Sequence, residues 1–232
     1  MAAPSSQWIA CSAARNGRRA WPLNSVVMQH DPIADVPSPI DLRRASDAIE
    51  WARTAMEKRP WRVEFFRRVI EILAAAPNAE VLELGSGPGF LAEQMLRAAP
   101  RHRYTLLDFS EAMHELARSR LNALSRCVRF VTADLKESGW NAGLGTFDFV
   151  VTIQAVHELR HKARAATLHS QVREVLKPGG GYLVCDHYVG EDGMKNDQLY
   201  MTVPEQRAAL EAAGFRVHEV LRRQGLVMHH AA

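Results

Sequence analysis

The sequence predicts an α/β fold: a parallel, doubly wound sheet, two helices ahead of it, and an antiparallel hairpin at its end. Three observations predict this. From residue 77 onward short apolar runs alternate with helical stretches, the pattern of βαβ units. A glycine-rich turn, Gly85-Ser-Gly87-Pro-Gly89, stands between the first run and the first of those helices. The chain then ends in two apolar stretches separated by a short turn carrying Arg-Gln-Gly, which reads as a hairpin at a sheet edge.

Taken in order, residues 1–44 are rich in Ala, Ser, Arg and Pro, lack an apolar period, and are expected to be a disordered leader. Arg18-Arg19 invites a twin-arginine reading, but no apolar segment follows, and Met28 stands as an alternative initiator. From Ala45 the period is helical, with Ile49, Ala52 and Met56 on one face, and the run stops at Pro60. A second helix is expected from Trp61 to Ala75, with Val63, Phe66, Ile70 and Leu73 as its stripe. Residues 45–76 thus form an N-terminal helical cap, and 77–232 the main domain. Strands are expected at Glu80–Leu84, Tyr104–Leu107, Val128–Val131, Phe147–Ile153 and Gly181–Cys185, with helices near 91–98, 111–124, 156–176 and 203–213. Thr202-Val-Pro-Glu205 carries a capping box and Gly214 a helix stop, ahead of the hairpin strands Phe215–Leu221 and Leu226–His229.

Charge and cysteine usage narrow the function. The net charge of +3 comes from 29 basic and 26 acidic side chains, and residues 1–30 hold Arg15, Arg18 and Arg19 with no acid. The remainder is electroneutral, which argues against bulk binding of nucleic acid. No apolar run approaches the ~20 residues of a membrane helix, so no membrane partner is expected. Cys11, Cys127 and Cys185 offer neither paired zinc spacing nor a disulfide framework, which points to the cytoplasm.

The chemistry gathers at the carboxyl ends of the expected strands, where open α/β sheets bind ligands. The turn after the first strand is GxGxG followed by Phe90, whereas the dinucleotide fingerprint wants a sixth-place glycine. The second strand ends in Asp108, an acid placed to accept both hydroxyls of a ribose. The third ends in Thr132-Ala-Asp134-Leu135, the fourth in Thr152-Ile-Gln154-Ala, and Leu176-Lys-Pro-Gly-Gly180 precedes the fifth.

With these residues the sequence resembles the class I S-adenosylmethionine-dependent methyltransferases from about residue 45 to 230. The match rests on Glu83-Leu-Gly-Ser-Gly-Pro-Gly89, Asp108-Phe-Ser, Asp134-Leu, the Phe147–Leu159 strand and turn, Leu-Lys-Pro-Gly-Gly180 and Ala213-Gly-Phe215. The resemblance implies a Rossmann-like seven-stranded sheet of order 3-2-1-4-5-7-6, mostly parallel, with one antiparallel strand from the terminal hairpin. It also implies roles. Gly85, Ser86, Gly87 and Gly89 lie under the methionyl and ribose portion, and Glu83 shapes that loop and faces the ammonium. Asp108 takes the ribose diol, Phe109 lies beside adenine, and Asp134 with Leu135 meets the adenine amine and face; Gln154 joins this cofactor set. The implied cofactor is S-adenosylmethionine, the product S-adenosylhomocysteine, and no metal is expected.

His157, just past the fourth strand, is the candidate base, with a packed turn histidine as the alternative; His187 is a weaker second candidate. His157-Glu158-Leu-Arg-His161 also satisfies the HExxH pattern, but position 167 lacks a third histidine and the surrounding motifs argue against zinc. Trp51, Trp61, Tyr188 and Tyr200 are the expected acceptor or lid residues. The cationic run Arg53, Lys58, Arg59, Arg62, Arg67, Arg68 reads first as a solvated helix face and second as a patch for a larger anionic partner. Gln154-Ala-Val-His157 lacks the tetrapeptide typical of enzymes that methylate nucleic-acid amino groups, and a small-molecule acceptor is expected. The alternatives are an RNA or protein acceptor, or a noncatalytic cofactor-binding module of the same fold.

Overall fold

The computed structural model describes residues 33–232. Its spine is a seven-stranded sheet of order β3-β2-β1-β4-β5-β7-β6, built from β1 (Glu80–Leu84), β2 (Arg103–Asp108), β3 (Val128–Thr132), β4 (Phe147–Ile153), β5 (Leu176–His187), β6 (Val217–Arg223) and β7 (Leu226–Ala231). All pairings are parallel except those of β7, which runs antiparallel to both β5 and β6. The order reverses between β1 and β4, and this switch point opens a crevice at the carboxyl edge.

Both faces of the sheet are buried, so its central strands are apolar throughout rather than alternating with polar residues. On one face Val81, Tyr104, Leu106, Leu183 and Cys185 pack under α2 (Arg62–Ala74), α3 (Phe90–Ala98) and α4 (Glu111–Leu121). On the other, Leu82, Leu84, Tyr182 and Val184 pack under α5 (Ala165–Glu174) and α6 (Val203–Ala212). The capping box at the start of α6 forms as expected: Thr202 Oγ1 accepts the Glu205 amide and the Glu205 carboxylate accepts the Thr202 amide.

Four expectations need correction. In α1 (Ala45–Lys58) the buried face is Ala48, Thr54 and Ala55, while Ile49 is 55% exposed; a small-residue face lets the helix sit close to its neighbours. In α2 the stripe is centred on Phe65, Phe66, Val69 and Leu73, and Val63 turns outward, because the pair of phenylalanines reaches the sheet. Residues 156–164 form two 3-10 turns, Val156–Leu159 and Lys162–Arg164, instead of the first turns of a long helix. Arg160 between them has φ 63°, which ends a helical run. Finally, β5 starts at Leu176: Lys177–Gly180, expected as a turn before it, lies within the strand where the register with β4 shifts.

Residues 33–44, assigned to the leader from composition, lie against the domain. The Val36 amide donates to Arg160 O (2.8 Å), and the Arg160 guanidinium donates to the carbonyls of Val36 and Pro37. Asp35 pairs with Lys136 and Arg164, and Ser110 Oγ donates to Leu42 O. Every one of these partners is distant in sequence, so local composition carries no sign of them. Residues 1–32, with most of the leader and Met28, lie outside the described residues.

Candidate active site

The crevice is a cleft of about 1090 Å³, mouth included, and its walls come from the carboxyl ends of the strands, the strap at residues 33–44, and α1 and α2. Its floor is the turn after β1. Gly85 has φ +64°, and a Cβ there would lie 2.2 Å from Ala155 Cβ. Only glycine permits the turn to cross the neighbouring strand end so closely. Gly89 (φ +75°) starts α3 and fits against Ala117 of α4; it supports the loop but does not line the cleft.

Two acids stand around that turn. Asp108, 4% exposed, accepts the Gly87 amide on Oδ2 (2.8 Å) and the Ser110 amide on Oδ1 (2.9 Å). Burial raises its carboxyl pKa against these bonds. Glu83 is 5% exposed, and its Oε2 is buried with no hydrogen-bond partner among the described residues. Burial pushes its carboxyl up to about 8, the Tyr104 hydroxyl opposes this, and Asp108 adds to it. A buried carboxylate with an unused oxygen is costly unless a cation or donor arrives. Ser86 Oγ is similarly orphaned beside it.

Farther along the same wall lie Phe109, Asp134 and Leu135. Asp134 is engaged by the strap, since Arg43 Nη2 donates to its Oδ2 at 2.9 Å and the same guanidinium covers the Phe109 ring at 4.5 Å. Arg43 and Leu42 were hidden within the presumed leader.

At the other end of the cleft His157 is anchored twice by Asp186 at the end of β5. Its Nδ1 donates to Oδ1 (2.7 Å) and its backbone amide to Oδ2 (2.8 Å). Glu158 Oε1 lies 3.3 Å from Nε2. Burial alone disfavours the imidazolium, but Asp186 and then Glu158 outweigh it and raise His157 to about 10. Asp186 is held below the usual carboxylate range: burial opposes its ionisation and the His157 cation prevails. His187, the second candidate, differs. Burial drives it down to about 3 despite Asp186, and it is neutral. Gln154, whose φ of +57° turns it off the end of β4, donates from Nε2 to His187 Nε2 (2.7 Å) and accepts Arg62 Nε on Oε1. Its side chain therefore serves this end of the cleft. Because His157 sits in a 3-10 turn and His161 follows an αL residue, the two histidines do not share a helix face as HExxH requires.

Of the sequence-chosen residues, the cleft gathers Glu83, Gly85, Ser86, Gly87, Asp108, Phe109, Asp134, Leu135, Gln154, His157, Trp51 and Tyr200. Two aromatics fall elsewhere. Trp61 packs into the core between the first helices and the sheet, and Tyr188 donates to Asp192 Oδ2 (2.6 Å) in the loop after β5. Each follows its local turn, which sequence spacing does not reveal. Asp186, Arg59 and Arg62 went unrecognised as site residues. Asp186 was accessible to the same strand-end rule that found Asp108 and Asp134.

Strand order, the single antiparallel strand and an acid-lined glycine turn at the switch point make a Rossmann-like, doubly wound fold with its cleft at the carboxyl edge. Residues 81–180 match the model of a family described as a methyltransferase domain. Among curated relatives, squalestatin tetraketide synthase of Cochliobolus lunatus is 24% identical over 211 residues, covering 78% of this chain and 8% of that synthase. A non-reducing polyketide synthase of Aspergillus calidoustus is 34% identical over 112 residues, covering 46% of this chain and 4% of that protein. The chain thus spans less than a tenth of either relative. Human N-acetylserotonin methyltransferase in complex with SAM has a similar fold, with TM-score 0.64 and 20% identity over 82% of this chain and 56% of that one.

Proposed function

We propose that the protein transfers a methyl group from S-adenosylmethionine to a small organic acceptor, leaving S-adenosylhomocysteine. The observation that carries this is the orphaned Glu83 Oε2, buried beside a glycine turn that also holds Asp108. The cofactor has an ammonium and a ribose diol and no phosphate, so two carboxylates fit it better than a basic clamp. In this reading Glu83 pairs with the ammonium and Asp108 accepts from the diol. Gly85, Ser86 and Gly87 let the backbone approach the ligand. Phe109 and Leu135 flank adenine, and Asp134, shared with Arg43, meets its amine. Gly89 acts at one remove by seating α3. When bound, the cofactor supplies an electrophilic methyl group on a sulfonium.

His157 orients the acceptor and holds or removes its proton at Nε2, while Asp186 fixes Nδ1 and with it the ring. In the free protein at neutral pH His157 is cationic, so the proton-accepting form lies on the alkaline side of its titration. A second cation in the cleft shifts that titration downward. Trp51 and Tyr200 exclude water from the acceptor end. We place the reaction in the cytoplasm on the strength of the cysteine usage; no helix among the described residues is long and apolar enough to cross a membrane.

The test is transfer of labelled methyl from S-adenosylmethionine into metabolite, RNA and protein fractions, beside calorimetric titration with S-adenosylhomocysteine. Label in the small-molecule fraction is the expected result. Label in RNA or protein overturns the acceptor class, and no heat with folded protein overturns the cofactor. Binding without turnover in any fraction leaves a noncatalytic module.

A further inference from the structure

The apolar face that seats α5 on the sheet contains one polar residue. Ala165, Leu168 and Val172 are buried there, and so is His169, only 1% exposed. Burial lowers the His169 pKa to about 4, although Asp186 opposes this, so the ring is neutral. Its Nδ1 lies 3.4 Å from the Tyr182 hydroxyl, which burial keeps protonated. That hydroxyl has no other acceptor among the described residues, so it donates to Nδ1 and leaves the imidazole proton on Nε2. Nε2 itself makes no hydrogen bond within the described residues. His169 lines a small cavity between β5 and α6 that has room for about one water molecule. Asp186 and Gln206 line it too, and Val156, Val184, Met201 and Leu210 complete its walls. Asp186 Oδ1 already accepts the His157 ring (2.7 Å) and the His187 amide (2.7 Å), and Oδ2 accepts the His157 amide, so one Oδ2 lone pair is unused. The Gln206 amide nitrogen donates to His187 O (2.8 Å), and its Oε1 accepts nothing within the described residues.

We propose that His169 is a positioning residue for His157, acting through a water held in this cavity that accepts from His169 Nε2 and donates to Asp186 Oδ2 and Gln206 Oε1. Three partners are the usual complement of a buried water. An unpaired N–H on a buried helix face costs more than a leucine there would, so the histidine is accounted for by a partner in the cavity. The water fixes the same Asp186 oxygen that holds the His157 backbone amide. It also shares the carboxylate's charge. Once His157 gives up its proton, Asp186 is an anion with no cation beside it, and a donor from behind is then worth most. The layer therefore favours the proton-accepting form of His157. The charged and titratable groups around His157 are Asp186 and His187 of β5, Glu158 and Arg160 of its own turn, Tyr200 ahead of α6, and Arg59 ahead of α2. Around His169 they are Tyr182 and Asp186 of β5 and His229 of β7, which burial keeps neutral. The inference deepens the reading of His157 as the base and rests on it.

The test uses the full chain without cofactor or acceptor. A crystal structure showing ordered solvent should place one water within about 2.7–3.2 Å of His169 Nε2, Asp186 Oδ2 and Gln206 Oε1. NMR of ring-labelled histidine then follows the His157 titration, its signal assigned by its loss in His157→Gln. Wild type should titrate near 10. His169→Leu removes the donor, and Val184→Ile fills the cavity with one more methyl group while leaving His169 in place. Each should move the His157 titration up by about one pH unit. His169→Gln, whose amide nitrogen reaches the place of Nε2, should restore the wild-type value. Should His169→Leu fail to fold, Val184→Ile makes the same contrast. A cavity without water, a titration equal in wild type and both variants, or a shift in His169→Gln as large as in His169→Leu overturns the role of His169. Failure of wild type to bind S-adenosylhomocysteine tells instead against the methyltransferase reading, and the titrations still decide the link from His169 to His157.

Discussion

Asp186 holds His157 through both of its oxygens, one to the ring Nδ1 and one to the backbone amide, across 29 residues of sequence. The carboxylate thereby sets the position of the turn, the orientation of the ring and its charge. Burial makes each charge expensive alone, so the two stand or fall together.

Asp186→Asn should lower stability at neutral pH by about 3–5 kcal/mol, the usual range for removing one partner of a buried ion pair. The sign follows from the two titrations. The His157 pKa is raised from 6.5 to about 10 on folding, so its contribution is complete below 6.5 and lost as pH rises through 10. Asp186 is depressed from 3.8, so its contribution is present above that value and lost in acid. Denaturant melts across pH should show the gap between wild type and variant narrowing at both extremes.

If His157 removes the acceptor proton, kcat/KM should climb with pH toward about 10, because the protonated form dominates below. His157→Gln should cut kcat by ~10²–10⁴-fold, the typical worth of a positioned acid or base, while calorimetry shows S-adenosylhomocysteine binding unchanged. Full activity in His157→Gln would leave alignment and desolvation as the catalytic terms.

Glu83→Gln should separate stability from function. The Glu83 pKa is raised from 4.5 to about 8, so ionising it costs stability increasingly as pH rises across that window. The variant should therefore gain ~1–3 kcal/mol relative to wild type above pH 8 and lose cofactor affinity by tenfold or more. Wild-type binding below pH 8 should release a proton, visible as a dependence of the calorimetric heat on the buffer's ionisation enthalpy.

Glycine substitutions offer a graded test of the cleft floor. Gly179→Ala, with φ +79° and open space around it, should cost only the left-handed strain of ~1–2 kcal/mol. Gly85→Ala meets Ala155 at 2.2 Å in addition, should lose a further ~1–3 kcal/mol, and should not bind cofactor. Equal melting temperatures for the two would show that the turn relaxes freely.

Arg43→Ala removes a partly exposed ion pair with Asp134, which is worth about 1 kcal/mol of stability. It also uncovers the Phe109 ring, so S-adenosylhomocysteine affinity should fall severalfold while the melting temperature barely moves. A large loss of stability instead would mean that the strap at residues 33–44 is part of the core.

Local pattern by itself determined the α/β alternation, the glycine turn, the acids at the ends of β2 and β3, and the terminal hairpin. Each depends on residues close in sequence: an apolar run of strand length, a turn needing positive φ, an acid at or just past a strand end. Tertiary structure alone decided the pairing of His157 with Asp186, the docking of residues 33–44, the inward turn of Arg62 beside an outward Arg53, and the placement of Trp61 and Tyr188 away from the cleft. In each of these the direction of a side chain is set by partners from other strands and helices, and the free energy that selects it exists only once those elements have packed. A helical period states that a face will be buried; which residues form it depends on the surface it meets, as the exposed Ile49 and the buried Phe65 show.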